Sequence, residues 1–354
     1  MGGKTMVSAT LDAYLSSYVA GGDPLRSAVS QTVRQLALTA AKMRTTINQG
    51  ALGSAFAGHR GKANADGDTQ KDLDVHADDM FIEAMRQAPI CLYGSEELEH
   101  PVILDPAAPI AIAIDPLDGS SNIDTNVSIG TIFSILPVVG EPVSEPSASF
   151  FQRGDAQLAA GFFIYGPQLA LVLSVGSGTH VFVFSSRLGT FVQAYESVVL
   201  APRTQEFAVN AANYRHWDEA IRLYVDDCLK GTEGPREKEF NMRWIASLVA
   251  ETYRILMRGG VFLYPGDKRK GYSEGRIRLV YEANPIAFLI EQAGGAATDT
   301  VNRILELTPR SMHQRVPLVF GSAREVHRIS RYHTEPSNIG ERAPLFNNRG
   351  LFRA

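Results

Sequence analysis

The spacing of apolar residues near the start of the chain predicts a long amphipathic helix from about Pro24 to Gln49. Apolar side chains recur there every three or four positions and form one stripe, which consists of Val29, Val33, Leu36, Ala40, Met43 and Ile47. Asp23 suits the N-cap, Pro24 the first helical position and Gly50 the position just past the end. One face of this helix is therefore expected to pack on the core.

A second helix is predicted over residues 75–87, with Phe81 and Met85 facing inward. Residues 51–72, between the two helices, are rich in Gly, Ala, Asp and Lys and show little periodicity. We interpret them as a long loop, a kind of segment that often carries function in compact domains.

Short, continuous apolar runs predict buried strands in the middle of the chain. The clearest runs from Ile110 to Ile114 and is followed by Asp115, and Pro116 is expected to stop its hydrogen-bond ladder. Other strands are predicted at residues 90–93, at 130–139 and, after a surface excursion over 140–157, in the sheet-like sequence up to about residue 200.

The pattern changes near residue 200, where we place a boundary between two domains, 1–200 and 201–337, followed by a tail over 338–354. The second domain is predicted to alternate helices and strands. Its helices lie near 217–229 and 242–258, its strands at 260–264 and 276–281, and a further helix opens at Asn284 as N-cap and closes at Gly294.

Composition narrows the class of protein. The chain has 354 residues, 45% of them hydrophobic, which is enough for a large core, and its formal net charge of -4 gives no sign of a nucleic-acid or membrane partner. Its two cysteines, Cys91 and Cys228, form neither a disulfide framework nor a zinc motif. With no signal-peptide core at the N-terminus, these features predict a cytoplasmic protein.

The segment Asp115 to Asp124, DPLDGSSNID, carries the most chemistry. Asp115 and Asp118 follow a buried strand and offer the hard oxygens that magnesium or manganese prefers, while Gly119, Ser120 and Ser121 resemble the first turn of a helix, whose free N–H groups bind anions. The segment could instead be a solvated turn or part of a calcium loop. The combination of cation and phosphate sites favours a metal-dependent phosphate-ester hydrolase.

Further acids lie at predicted strand ends or loop edges, where active sites of layered α/β proteins are assembled: Asp68, Asp74, Glu96, Glu97 and Glu282. Glu282 ends a predicted strand, and the adjacent Glu96 and Glu97 would point in opposite directions on an extended chain. Without metal such a cluster would repel itself and hold protons more tightly, whereas bound cations remove the repulsion and attract phosphate.

An anionic substrate also needs basic residues. Arg243 and Arg276 are the favoured candidates because a planar guanidinium suits phosphate, and Arg278 is a further one. For Lys268 to Lys270 we favour a solvated loop.

Six segments together resemble class I fructose-1,6-bisphosphatase and occur in that family's order over roughly residues 25–335. They are GDTQKDLDV, YGSEE, DPLDGSSNIDTNVSIGTIF, GGVFLYP, RIRLVYEANPIAFLIEQAGG and HQRVPLVFGS. The acids and the DPLDGSS turn are shared with the wider lithium-sensitive phosphatase superfamily, including inositol monophosphatases, whereas YEANP with EQAGG and HQR is more specific to sugar bisphosphatases. The resemblance implies a layered α-β-α-β-α sugar-phosphatase fold of the α+β kind, with two stacked mixed sheets, and a homotetramer.

The resemblance also implies roles for individual residues. The metal ligands would be Glu96, Asp115, Asp118, Glu282 and the carbonyl of Leu117. Asp74 and Glu97 would deprotonate the attacking water, with Asp68 completing the metal set from the mobile loop of the family. Gly119, Ser120 and Ser121 would hold the 1-phosphate, and the sugar and 6-phosphate would contact Asn210, Arg243, Tyr264 and Arg276, with Arg243 reaching from a neighbouring subunit.

The implied reaction is hydrolysis of fructose 1,6-bisphosphate to fructose 6-phosphate by metal-activated water, in gluconeogenesis or carbon fixation. Two or more Mg²⁺ ions per subunit are implied, with Mn²⁺ as the alternative ion. The first domain would bind the metal and the 1-phosphate, and the second the sugar and the 6-phosphate.

Several residues depart from the family's pattern around the 6-phosphate. Trp244 replaces a common Tyr, Arg276 replaces a common Lys, and Asn210 is followed by AANY, so that either Asn213 or Tyr214 is a candidate phosphate contact. These changes leave sedoheptulose 1,7-bisphosphate as a candidate second substrate. An inositol monophosphatase-like enzyme and a catalytically dead binding homologue are two further candidate functions, although all the acids of the set are present.

The AMP site of inhibited relatives also differs. Those relatives carry a hydroxyl-bearing start to the first helix, a Lys-Tyr pair before the DPLDG strand and an arginine after GTIF, and here those places hold Asp23–Pro24, Pro109–Ile110 and the region around Pro137. Because these residues offer no phosphate ligand, weak or absent AMP inhibition is expected.

Overall fold

The computed structural model describes residues 9–48 and 69–335. Its helices are α1 (Leu11–Tyr18), α2 (Pro24–Ile47), α3 (Thr69–Met85), α4 (Glu219–Leu229), α5 (Leu248–Arg258), α6 (Asn284–Gln292) and α7 (Ala323–Thr334). None of these described helices is long and apolar enough to cross a membrane.

The first sheet has the strand order β2-β1-β3-β4-β5-β6-β7-β8. It is mixed, because β1 runs parallel to β3 while the other neighbouring strands run antiparallel. Its strands are β1 (Ile90–Ser95), β2 (Val102–Ile103), β3 (Ile110–Asp118), β4 (Ile129–Pro137), β5 (Ala159–Tyr165), β6 (Leu169–Ser174), β7 (His180–Ser185) and β8 (Thr190–Tyr195).

The second sheet is also mixed and has the order β10-β9-β11-β15-β13, and β12 and β14 form a separate antiparallel pair. The strands are β9 (Glu206–Val209), β10 (Asn241–Arg243), β11 (Val261–Tyr264), β12 (Ile277–Arg278), β13 (Ala296–Thr298), β14 (Arg315–Val316) and β15 (Leu318–Gly321).

Helices and sheets alternate in five layers, which confirms the predicted fold class. Helices α1, α2 and α3 pack on one face of the first sheet through a buried cluster that includes Val33, Phe81 and Ile112. Helices α5 and α6 lie between the two sheets, and α4 and α7 cover the outer face of the second sheet, where Ile221 and Ile329 are buried. The central strands of each sheet are therefore buried on both faces, in agreement with their continuous apolar sequences.

The predicted first helix is confirmed over Pro24–Ile47. Asp23 caps it, with its Oδ1 accepting a 2.8 Å hydrogen bond from the Leu25 N–H, and Val29, Val33, Leu36, Ala40 and Met43 are buried. Gly50 lies outside the described residues. Phe81 and Met85 are fully buried as predicted, but α3 begins at Thr69, inside the segment that we interpreted as loop.

Three local predictions were wrong near the acids. Pro116 does not end β3, because a bulge lets the strand continue to Asp118. Ser120 begins a single 3₁₀ turn rather than a helix. Glu282 lies not at the end of a strand but in a π-helical turn, Leu279–Ala283, that runs directly into α6, so that Asn284 is not an N-cap.

The predicted helix over 242–258 was also too long. Residues Asn241–Arg243 form the edge strand β10, and α5 begins only at Leu248 because Ser247 acts as its N-cap, accepting a hydrogen bond from the Ala250 N–H.

Candidate active site

Three of the predicted metal ligands come together from three different elements. Carboxylate oxygens of Glu96, Asp115 and Glu282 all lie within 4.8 Å of one another. Glu96 follows the end of β1, Asp115 lies on β3, and Glu282 lies in the π-helical turn before α6. A group of hard oxygen ligands at this spacing suits a divalent cation such as Mg²⁺ or Mn²⁺.

The bulge in β3 explains how Asp115 and Asp118 can serve one site. Ile114 and Leu117 both pack in the cluster beneath α2 and α3, so one extra residue interrupts the alternation between them. The two aspartates consequently both project from the opposite face. Thr131 fastens the bulge by donating its hydroxyl to the Pro116 carbonyl over 2.8 Å.

Burial and mutual repulsion shift the acids of this cluster toward their neutral forms. Burial raises the pKa of Glu96 to about 7, with the Arg278 guanidinium opposing the shift and the Asp118 carboxylate adding to it. Burial raises the pKa of Asp118 to about 6, and the pKa values of Asp115 and Glu282 lie well above their usual range. Carboxylates that repel one another in this way suit a divalent cation, whose charge would offset the repulsion.

Asp118 stands slightly apart from the other three acids. Its Oδ2 accepts a 3.0 Å hydrogen bond from the Val249 N–H in the first turn of α5. That contact ties the face of the first sheet that carries the acids to a helix of the middle layer, and Asp118 remains a predicted ligand.

Arg278 offsets part of the negative charge of the cluster. Its guanidinium forms an ion pair with Glu96, and its backbone N–H donates to Glu282 Oε2 over 2.6 Å. Two buried side-chain atoms here, Glu96 Oε2 and the Tyr281 hydroxyl, have no hydrogen-bond partner among the residues that the structure describes. Unsatisfied buried oxygen atoms are costly, and they fit a site that takes an ion with its water.

The predicted 1-phosphate turn lies beside this cluster. Gly119 has φ +75°, a left-handed conformation that favours glycine, and it precedes the 3₁₀ turn Ser120–Asn122. Ser120 donates its hydroxyl to Asp74 Oδ2 over 3.2 Å, and Asn122 donates its amide to the Ala246 carbonyl over 2.8 Å. The turn is thus held between α3 and the start of α5.

The remaining predicted site residues have different surroundings. Asp74 lies on α3 in contact with Ser120, and Glu97 is exposed at the turn after β1. Asp68 lies outside the described residues. The Leu117 N–H donates to Asp115 Oδ1 over 3.0 Å, and its carbonyl remains a predicted ligand.

A second group of predicted residues lines a small cleft in the C-terminal half. Asn210, Tyr264 and Arg276 share this cleft with Asn213 and Arg269. Arg269 donates to Asn213 Oδ1 over 3.0 Å and forms an ion pair with Asp267, whose pKa is consequently lowered. Arg269 is therefore not a solvated loop residue as we interpreted it, although its neighbours Lys268 and Lys270 are exposed.

Two guanidinium groups that line this cleft lie over the same aromatic ring, that of Tyr272. Arg269 lies 4.5 Å and Arg276 4.9 Å from the centroid of Tyr272. Only one carboxylate, that of Asp267, is paired with them among the described residues, so the cleft carries net positive charge. Such a cleft is suited to a phosphate group.

The structure also distinguishes between Asn213 and Tyr214, the two candidate phosphate contacts that follow Asn210. Tyr214 turns away from the cleft and donates its hydroxyl to Asp226, with distances of 2.9 and 3.0 Å to the two carboxylate oxygens, whereas Asn213 lines the cleft.

Trp244 stacks on Phe262, with ring centroids 5.9 Å apart. Its ring centroid also lies 6.0 Å from that of Tyr264, so Trp244 packs beside an aromatic residue that lines the cleft.

Arg243 is the predicted phosphate contact that the cleft does not include. It lies on the edge strand β10, is exposed, and has its Nε 3.7 Å from Glu206 Oε1. Within this chain its side chain belongs to a different surface from that of Arg269.

Sequence reasoning missed the roles of two arginines, Arg269 in the cleft and Arg278 beside the acids. The sequence signal for Arg278 is the RIR alternation, in which Ile277 is buried and both flanking arginines point away from the core. For Arg269 the signal is weaker, since only the tertiary contacts with Asn213 and Tyr272 distinguish it from the lysines on either side.

Comparisons with known proteins agree with this geometry. Residues 9–196 match the family described as "Fructose-1-6-bisphosphatase, N-terminal domain", and residues 200–334 match its C-terminal domain. The chain is 66% identical to "Fructose-1,6-bisphosphatase class 1" of Rhizobium meliloti (strain 1021), over 99% of this chain and 100% of that protein. It is 54% identical to the protein of the same name from Azorhizobium caulinodans, over 93% and 100% of the two chains.

Solved structures give the same result for the fold. The crystal structure of Leishmania major fructose-1,6-bisphosphatase in holo form superposes with a TM-score of 0.82 at 30% identity and covers 92% of this chain and 99% of that chain. The T-state structure of the same enzyme also has a TM-score of 0.82.

Proposed function

The chain belongs to the fructose-1,6-bisphosphatase family, and on that premise we propose how its acid cluster and its arginine-lined cleft divide the work on fructose 1,6-bisphosphate. The enzyme hydrolyses a phosphoric monoester to give fructose 6-phosphate and inorganic phosphate, and family membership implies dependence on a divalent metal. The observation that carries the proposal is the grouping of Glu96, Asp115 and Glu282 oxygens within 4.8 Å.

The acid end of the site performs the chemistry. Glu96, Asp115, Asp118, Glu282 and the Leu117 carbonyl would hold Mg²⁺, or alternatively Mn²⁺, with two or more ions per subunit. When bound, the metal supplies Lewis-acid stabilisation of the phosphoryl and leaving oxygens and lowers the pKa of water.

The chain's own residues would then orient and deprotonate the attacking water. Glu97 and Asp74 would take its proton while its oxygen forms a bond to the 1-phosphorus and the bond to the sugar oxygen breaks, and Asp68 would complete the metal set. The backbone N–H groups of Ser120 and Ser121, in a turn made possible by Gly119, hold the phosphoryl oxygens.

The arginine-lined cleft would hold the other end of the substrate. Asn210, Tyr264 and Arg276, joined by Arg269, contact the sugar and the 6-phosphate, and remote binding of this kind orients the reacting bond. A sedoheptulose 1,7-bisphosphatase activity is a second candidate, because Trp244, Arg276 and the segment after Asn210 depart from the family's pattern around the 6-phosphate, and that substrate adds only one carbon between its phosphates.

The test is magnesium-dependent phosphate release from fructose 1,6-bisphosphate, sedoheptulose 1,7-bisphosphate and inositol 1-phosphate, with Asp118→Asn as the control. We expect release from the fructose ester and its loss in Asp118→Asn. Release from both esters would establish dual specificity, whereas release from inositol 1-phosphate alone would favour an inositol monophosphatase-like enzyme. No release from any ester would overturn the catalytic proposal in favour of a binding homologue.

We further propose the assembly and setting of the enzyme. The exposed edge strand β10, with Arg243 and the exposed Met242, supports a homotetramer in which Arg243 reaches a neighbouring subunit's cleft. Sedimentation velocity tests the oligomeric state, and a monomer in solution would contradict the homotetramer.

Cys91 and Cys228 are free and buried, which supports a cytoplasmic location for the enzyme. We also propose a domain boundary near residue 200, and limited proteolysis tests it.

A further inference from the structure

Beneath the acid cluster lies a buried polar network that the proposed mechanism does not use. Tyr93, on β1, donates its hydroxyl to Asp78 Oδ1 on α3 over 2.8 Å. Asp78 is 6% exposed and Tyr93 is fully buried. A carboxylate this deeply buried costs stability that an apolar side chain of similar size would not, so its presence calls for an explanation.

The network continues to the turn that carries two functional acids. The Ser95 side chain, itself 1% exposed, interacts with both Asp78 and Tyr93. Its Oγ in turn accepts a 3.2 Å hydrogen bond from the backbone N–H of Glu97. Asp78 is thereby linked, through a single side chain, to the backbone of the turn that presents Glu96 and Glu97.

The position of Asp78 on its helix links the network to the phosphate turn as well. Asp74 lies four residues earlier on α3 and therefore on the same face, one turn away. Asp74 accepts the hydroxyl of Ser120 from the predicted 1-phosphate turn. One face of α3 thus contacts the phosphate turn through Asp74 and the turn with Glu96 and Glu97 through Asp78.

We propose that Asp78 is a positioning residue, which with Tyr93 and Ser95 holds the Glu96–Glu97 turn in place relative to Asp74 and the phosphate turn. This inference rests on the proposed function. Groups that orient metal ligands without touching the metal typically affect metal affinity or activity by about 10- to 100-fold, and small displacements of positioned groups have effects of similar size.

The test compares four variants of the full-length enzyme. Asp78→Ala removes the acceptor, Tyr93→Phe removes only the donor hydroxyl, and Asp78→Asn keeps an amide oxygen that can accept from Tyr93. Asp79→Ala, at the next and exposed position of the same helix, is the matched control. The readouts are kcat and KM for fructose 1,6-bisphosphate, half-saturating Mg²⁺, and Mn²⁺ affinity by electron paramagnetic resonance.

We expect Asp78→Ala and Tyr93→Phe to lower kcat and weaken Mn²⁺ binding by about 10- to 100-fold with little change in KM. Asp78→Asn is expected to recover most of both, and Asp79→Ala to match the parent. All assays are run well below the melting temperature of each variant, with the folded fraction measured by circular dichroism.

Three results would overturn the proposal. One is a folded Asp78→Ala with the kinetics and Mn²⁺ affinity of Asp79→Ala, and another is an activity loss proportional to the unfolded fraction. The third is an Asp78→Asn as impaired as Asp78→Ala, which would show that charge rather than placement matters. If the parent released no phosphate, the proposed function would fail, and Mn²⁺ affinity would still decide the role of Asp78.

Discussion

At the scale of single residues, the site is divided between acids that are buried and acids that are exposed. Glu96, Asp115, Asp118 and Glu282 are largely removed from water, and their raised pKa values show how strongly burial opposes their charged forms. Glu97, next to Glu96 in sequence, is exposed. Buried acids suit metal ligation and an exposed one suits proton transfer to solvent, which agrees with the proposed roles.

The first prediction concerns Glu97 as the group that takes the proton of the attacking water. Glu97→Gln keeps the shape of the side chain but cannot accept that proton, so kcat should fall by about 10²- to 10⁴-fold with little change in KM. Steady-state kinetics at saturating Mg²⁺ provides the measurement, with Glu99→Gln, an exposed glutamate two positions away, as the control. Equal activity of the two variants would remove Glu97 from the mechanism.

The second prediction concerns Arg269 in the arginine-lined cleft. A hydrogen bond to a charged group contributes about 1.5–3 kcal/mol, so Arg269→Ala should lower kcat/KM for fructose 1,6-bisphosphate by about 10- to 100-fold, mainly through KM. Lys268→Ala, which changes the exposed neighbour, should leave KM near the parent's value. A loss in Lys268→Ala as large as that in Arg269→Ala would mean that the loop acts only through its general positive charge.

At the scale of elements, the decisive feature is the close packing where β4 passes the bulge of β3. Gly130 on β4 pairs with Asp118, and an added Cβ there would come within 2.3 Å of the Phe163 carbonyl oxygen and 2.7 Å of a Val249 methyl group. The strand can therefore approach its neighbours only because this position has no side chain.

The third prediction follows from that contact. Gly130→Ala should reduce the free energy of unfolding by about 1–3 kcal/mol and weaken metal binding, because a backbone oxygen cannot move aside easily. Thermal melts with and without Mg²⁺ measure both effects. Gly21→Ala is the control, since an added Cβ at Gly21 meets nothing within 4 Å and should be neutral or slightly stabilising. A Gly130→Ala melt like that of the control would contradict this account of the packing.

Some of these elements could be predicted from the sequence, and others could not. The amphipathic stripe of α2 and the apolar run of β3 were readable, because periodicity and continuous burial are local signals. The bulge at Pro116 and the π-helical turn at Glu282 were not, since both depend on contacts with distant segments, such as the hydrogen bond from Thr131 and the bond from Leu279 N–H to Gln314. Arg269 was missed for the same reason.

At the scale of the whole molecule, the acid cluster lies where elements from both halves of the chain meet. Glu96 and Asp115 come from the first sheet, and Glu282 comes from the turn that leads into α6, between the two sheets. The carboxylates must be held close together by packing that their own charges oppose. Metal binding and folding of the whole chain should therefore be coupled.

The last prediction is the pH dependence of that coupling. Because the folded pKa of Glu96 is about 7 rather than 4.5, and those of Asp115 and Glu282 are also raised, the folded chain binds more protons than the unfolded chain across this interval. Proton binding by these acids therefore stabilises the folded chain. This stabilisation is fully present below their unfolded pKa values and is lost as pH rises through their folded pKa values. Each pKa unit corresponds to about 1.4 kcal/mol, enough to shift the melting temperature by several degrees.

Metal-free enzyme should consequently melt at a lower temperature at about pH 8 than at about pH 5.5, and Mg²⁺ should raise the melting temperature more at the higher pH, because it binds the deprotonated acids. His333 has the same effect. Burial lowers its pKa, but the hydrogen bond with Asp218 outweighs burial and raises it, so His333 also makes the folded chain less stable as pH rises. Glu282→Gln separates the two, since it removes one acid of the cluster and leaves His333 intact. A pH slope as steep in Glu282→Gln as in the parent would assign the effect to groups outside the cluster.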